Sequence, residues 1–210
     1  FFASMLIWYV NFGGPILSIV FFVLGGCLIL SSFYEFFILL SRTTKKKFYI
    51  SNKVLAQVLA HMGIGILVIG ITGSSILKEE KIQFQKIDEI IRIKNYDVKF
   101  LGVKNVEGTN YISKMGLFEI SKNGQMIKLM QPEKRFHNSG KQVTTEAAIS
   151  SSLLGDLYIA LGDVNEKDKG RKQWTTRIWY NPYTIWIWIS VLFLAAAGML
   201  SFTNSIRLKK

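Results

Sequence analysis

Apolar positions fall into two patterns along this chain. Near the two ends they form long unbroken runs: Gly14–Leu40, Val54–Leu77 and Tyr183–Phe202. Each run is long enough to cross a bilayer as a helix. Val54–Leu77 holds 24 residues and no formally charged side chain, which as a helix extends about 36 Å. Phe1–Phe12 has the character of the end of a fourth such helix. Between the second and third runs, over 78–182, the pattern changes to short stretches rich in β-branched and aromatic residues. These predict strands over Asp97–Val103, Met115–Ser121, Gln125–Met130, Leu157–Leu161 and Trp174–Tyr180. Asn123–Gly124 is a two-residue hairpin signature of type I′, in which both residues take positive φ. Gly108–Thr109–Asn110 and Asn138–Ser139–Gly140 mark further turns. The expected fold is thus a membrane α-helical protein, with three complete transmembrane helices and the end of a fourth, carrying an inserted β-rich extracytoplasmic domain. About 100 residues of this kind make a small barrel or a sandwich.

Charge refines this picture. The formal net charge of +12 suggests nucleic acid at first sight, but its distribution points to a membrane. Arg42, Lys45, Lys46, Lys47 and Lys53 crowd the loop 41–53, and Arg207, Lys209 and Lys210 close the tail 203–210. Positive charge flanking apolar spans sets orientation. Both clusters then lie on the cytoplasmic side, or the matrix side of a mitochondrion, and 78–182 lies outside. From Lys78 to Arg177 there are 18 basic and 13 acidic residues, a net of +5, an ordinary mixed surface. The chain has no initiator Met and opens inside an apolar run, which reads as the C-terminal piece of a larger membrane protein. Cys27 is the only cysteine, so thiol chemistry belongs to a partner or to another part of the protein.

The candidate chemistry centres on His61. A titratable imidazole inside an apolar span is costly and needs a partner or a task. On a helix it shares a face with Val54, Gln57, Val58, Ile64, Gly65 and Val68. Gly63 and Gly65 remove bulk beside it, leaving room for a flat group. Two readings stand: ligation of a haem iron, and an interhelical hydrogen bond at a small-residue contact. Trp174, Trp179, Tyr180, Tyr183, Trp186 and Trp188 gather around the start of the last span, as an interfacial anchor belt or as rings stacking on a cofactor. No phosphate-binding loop, paired zinc cysteines, HExxH or GxSxG is present. Ser74 and Ser75 suit backbone groups at a helix end. Glu146, Asp156 and Asp163 are expected as turn or surface carboxylates, and His137 as a solvated loop residue.

The ordered segments LAHMGIGILVIGITGSS, NYISKMGLFEI, PEKRF, TTEAAI, DLYIALG and RIWYNPYTIWIWI resemble CcmF-type cytochrome c haem lyases, bacterial inner-membrane proteins also found in some mitochondria. The succession runs from Asn52 to Phe202, and the related nitrite-reductase haem lyases share much of it. The resemblance implies that His61 is an axial ligand to a resident b-type haem between transmembrane helices; the glycine gap and the aromatic cluster add Gly65 and Trp186 as candidate contacts to it. The second axial ligand and the segment that handles substrate haem lie upstream in that family. It also implies partners: apocytochrome c, a CcmE-like haem chaperone and a CcmH-like thiol-reducing subunit that presents the apocytochrome. The family joins haem vinyls to the cysteines of CxxCH. His137 departs from a usual aromatic, and Asn181 and Thr184 stand where basic residues occur. His61 lies eight residues past Lys53, about 12 Å along the helix from the inner surface. At that depth a resident haem suits electron transfer. The alternative is a non-catalytic membrane scaffold or haem-transport subunit whose outer domain binds partners.

Overall fold

The computed structural model describes residues 16–42, 51–138, 140, 142–165 and 172–208. The expected helix end at Phe1–Phe12, the loop lysines Lys45, Lys46 and Lys47, and the tail residues Lys209 and Lys210 lie outside them. The chain divides into two compact units, one of residues 1–77 with 182–210 and one of 78–181.

Among the described residues the first unit contains three long helices: α1 (Ile16–Arg42), α2 (Asn52–Ile76) and α3 (Thr184–Leu208). Their apolar stretches of 26, 25 and 20 residues are long and apolar enough to cross a membrane. Glycine lets α2 approach both neighbours closely, as small residues do where lipid supplies no hydrophobic drive for helix association. Gly65 lies against Gly25 and Ile29 of α1, while Gly63 meets Phe193 and Leu194 and Gly70 meets Ile187 of α3. At the end of α2 the Tyr183 ring covers Gly73. Ser74 Oγ donates to the Ile71 carbonyl at 3.1 Å, the backbone role expected of it.

Among the described residues the second unit has ten strands: β1 (Glu79–Lys86), β2 (Ile90–Ile93), β3 (Tyr96–Glu107), β4 (Tyr111–Lys122), β5 (Gln125–Met130), β6 (Glu133–His137), β7 (Val143–Glu146), β8 (Ala148–Ser151), β9 (Gly155–Asn165) and β10 (Gln173–Pro182). They form two sheets, ordered β1-β10-β9-β8 and β2-β3-β4-β6-β7, with β5 beside β4. Alternate residues of both sheets point into one core. Ile93, Val98, Phe100 and Phe118 come from one sheet, Leu157, Ile159, Leu161 and Ile178 from the other. Phe100 and Phe118 pack with ring centroids 4.9 Å apart. Of the two architectures left open by the sequence, this is the sandwich.

The five expected strands are all present, and β5 has the expected bounds. Asn123 (φ 52°) and Gly124 (φ 76°) both take positive φ in the β4–β5 turn, as a type I′ hairpin requires. Strands β1, β2, β6, β7 and β8 were not anticipated. In β1 the usual pattern is reversed: Ile82 and Phe84 are exposed while Gln85 is fully buried. The Gln85 amide donates to the carbonyls of Glu89 (2.9 Å) and Val98 (3.4 Å), tying β1 to the opposite sheet.

Candidate functional site

Position along α2 decides what His61 can reach. Val58, Gly65 and Thr72 are buried and Ile64 and Ile71 are exposed. His61 falls on the flank between these faces and is half-buried. No hydrogen bond or ion pair joins its ring to another of the described residues. The interhelical hydrogen bond offered by the sequence is thus not made among them. An imidazole in an apolar helix with both nitrogens uncommitted retains its capacity to bind a metal or a polar group.

One turn before His61, Gln57 Nε2 donates to Glu35 Oε1 of α1 at 3.5 Å. Glu35 is a carboxylate seven residues before the end of α1, and the sequence reading missed it. Its signal was available, as the one acidic residue inside Gly14–Leu40. Gln57 and His61 share a face by their four-residue spacing, so Glu35, Gln57 and His61 make a polar strip along otherwise apolar helices.

The structure corrects two expectations about what surrounds His61. The gap beside Gly63 and Gly65 is filled by protein. A β-carbon on Gly65 would lie 2.8 Å from both the Gly25 carbonyl oxygen and Ile29 Cγ1, and one on Gly63 3.0 Å from Leu194. Gly65 therefore sets the approach of α1 and offers no open face to a flat group. Trp186 is not brought to His61 either. It packs beside Gly70, nine residues further along α2, or about 13 Å along the axis. Its ring stands edge-on to Tyr183, with centroids 5.7 Å apart.

The other candidates are dispersed. His137 Nε2 lies 3.2 Å from Thr144 Oγ1, and its ring is 5.8 Å from that of Tyr111, at the end of β6 and not free in a loop. Asp163 is exposed and pairs with Lys134. Glu146 accepts from Thr144 at 3.2 Å. Asp156 departs from expectation: it is buried, and its Oδ1 has no hydrogen-bond partner. No group of three or more His, Cys, Asp or Glu among the described residues is placed to hold a metal ion.

Three apolar helices with a β-sandwich inserted before the last of them define a membrane protein with one folded domain outside its helices. Residues 76–182 match the family described as the CcmF C-terminal beta-sandwich, and the chain belongs to the CcmF family. It is 37% identical over 163 residues to the cytochrome c-type biogenesis protein CcmF of Haemophilus influenzae, covering 75% of this chain and 24% of that protein. Against the cytochrome c-type biogenesis protein ccl1 of Rhodobacter capsulatus the identity is 27%, covering 95% and 30%. The solved structure of cytochrome c heme lyase CcmF superposes with a TM-score of 0.62 at 13% identity, over 88% of this chain and 33% of that one, a likeness of fold. The chain thus spans between about a quarter and a third of the length of these relatives.

Proposed function

We propose that this chain serves cytochrome c maturation as part of a haem lyase, and that His61 is an axial ligand to a resident b-type haem. The observation that carries this reading is the half-buried, uncommitted imidazole in an apolar helix. A haem supplies reversible one-electron transfer when bound. The protein's part is positional. His61 offers one ring nitrogen to the iron, and a hydrogen bond on the other would fix its orientation. The Gly25–Gly65 contact holds α2 against α1, so the His61 flank keeps a constant position. Gly65 packs against α1, and Trp186 lies about 13 Å along α2 from His61.

In this reading the sandwich lies on the outer face of the inner membrane and meets apocytochrome c, a haem chaperone and a thiol-reducing subunit. The joining of haem vinyls to the CxxCH cysteines would take place there, and a haem held by His61 would supply one-electron transfer to it. The exposed apolar strand β5, with Met126, Ile127 and Leu129 open to solvent, suits a protein partner and also supports the scaffold reading. Optical spectra of the full-length protein separate the two. His61→Ala should remove most b-type absorption and cytochrome c maturation together, and added imidazole should partly restore the low-spin spectrum to His61→Gly. Full absorption and normal maturation in His61→Ala would leave the scaffold.

A further inference from the structure

The β8–β9 turn carries the wrong residues for a turn in water. Ser152 and Gly155 close it with reciprocal backbone bonds, Ser152 N–H to the Gly155 carbonyl at 3.1 Å and Gly155 N–H to that of Ser152 at 3.3 Å. The Ser152 hydroxyl adds a third bond to the Gly155 carbonyl at 2.7 Å. The two residues at the tip are Leu153 and Leu154, 70% and 63% exposed. Tight hairpin tips favour Gly, Asn and Asp, and this chain obeys that rule at Asn123–Gly124. Paired leucines at a tip put apolar surface where it has least neighbouring protein to cover it.

The tip is also fixed in place. A β-carbon on Gly155 would lie 2.6 Å from the Tyr180 ring and 2.7 Å from the Asn181 carbonyl oxygen, so β9 starts hard against the end of β10. Asn181 precedes the first residue of α3 by three positions, a chain length of about 11 Å at full extension. The headgroup layer on each side of a bilayer is roughly 5–8 Å thick. Close to the tip, Tyr158 of β9 and Trp179 of β10 stack with centroids 5.3 Å apart and planes 7° from parallel. Trp and Tyr are the residues that settle at this interface.

We infer that the β8–β9 turn is a lipid contact, with Leu153 and Leu154 entering the interfacial layer of the membrane that receives α3. The inference rests on the reading of α3 as a membrane helix. It would give the sandwich a second attachment besides its covalent links, restricting its rotation over the bilayer.

The test uses the full chain, with Cys27→Ser, in phosphatidylcholine nanodiscs containing a lipid-borne fluorescence quencher. A polarity-sensitive probe is attached to a single cysteine at Leu153, Leu154, Leu192 or Thr109, the last in the β3–β4 turn at the far end of β3 from Tyr96 and Tyr180. The probe at position 192 of α3 reports whether the helix lies in lipid, independently of the turn. Quenching at 153 and 154 at least about threefold that at 109 is expected, with emission shifted to the blue. A probe at Ser152 should lose most of its quenching when Leu153→Asn and Leu154→Gly convert the tip to a hairpin turn that folds readily. Quenching at 192 without quenching at 153 or 154 overturns the lipid contact alone, whether the tip is then wet or covered by protein. No quenching at 192 overturns the membrane reading and the contact with it.

Discussion

Gly25 and Gly65 meet backbone to backbone. A β-carbon on Gly65 would lie 2.8 Å from the Gly25 carbonyl oxygen, and one on Gly25 would lie 3.0 Å from that of Gly65. Backbone cannot move aside as a side-chain end can, so the contact tolerates no side chain on either helix. Gly65→Leu should force α1 and α2 apart and destabilise the helical unit by about 1–3 kcal/mol. Gly26, with nothing within 4 Å of an added β-carbon, is the control: Gly26→Ala should be neutral or slightly stabilising. Thermal melts of both variants in one detergent compare them. Equal melting temperatures would show that the helices do not depend on this contact.

The β4–β5 turn makes the opposite kind of demand. Gly124 has open space around it but a φ of 76°, so a substitution there meets strain and no clash. Gly124→Val should cost about 1 kcal/mol or more, whereas Gly124→Asn should cost less, because Asn tolerates positive φ. A melting temperature unchanged by the valine would argue against a type I′ turn.

Acid should weaken the sandwich through Asp97. Arg92 donates to both its carboxylate oxygens, Nε to Oδ1 at 2.8 Å and a terminal nitrogen to Oδ2 at 3.2 Å. These hydrogen bonds, opposed by partial burial and aided by the guanidinium charge, hold the Asp97 carboxyl below its usual range. A depressed folded pKa means stability that is fully present above the unfolded value of about 3.9 and lost as pH falls through the folded value. The melting-temperature difference between the wild type and Asp97→Asn should therefore be largest near neutrality and shrink below about pH 4. A difference that stays constant into that range would exclude the linkage.

The basic clusters predict an orientation. Cysteines placed singly at Lys46 and Lys210 in intact cells should resist an impermeant thiol reagent until lysis, while one at Asn123 should react at once. Labelling of position 46 without lysis would invert the arrangement.

The helices were legible because long uncharged runs have few alternatives, and the β4–β5 turn because Asn–Gly has so narrow a conformational use. The missed strands hid for physical reasons. β1 places Gln83 and Gln85 inward and Ile82 and Phe84 outward, so its alternation opposes the rule for a half-buried strand. β6, with the sequence EKRFH, is held by partners on both sides, a tertiary effect that no local pattern records. His61 was found because an ionisable group in an apolar run stands out. The fate of Gly63 and Gly65 was not legible: a glycine that admits a ligand and one that admits another helix look the same in sequence. Glu35 obeyed the same rule as His61 and was legible, but went unread.

β1 and β10 are the first and last strands of the sandwich, and they pair with each other along their length, from Glu79 opposite Tyr180 to Lys86 opposite Gln173. During synthesis β1 therefore emerges long before β10, the strand it pairs with among the described residues, exists. The strands from β2 to β7 pair with neighbours close in sequence, so that sheet is able to assemble as it is synthesised. The other sheet waits until nearly the whole domain has been made. For that interval β1 and its exposed Ile82 and Phe84 have no strand beside them, an opening for chaperones and for misassembly alike. Once β10 arrives, one pairing step closes the domain, and the next residues made are those of α3.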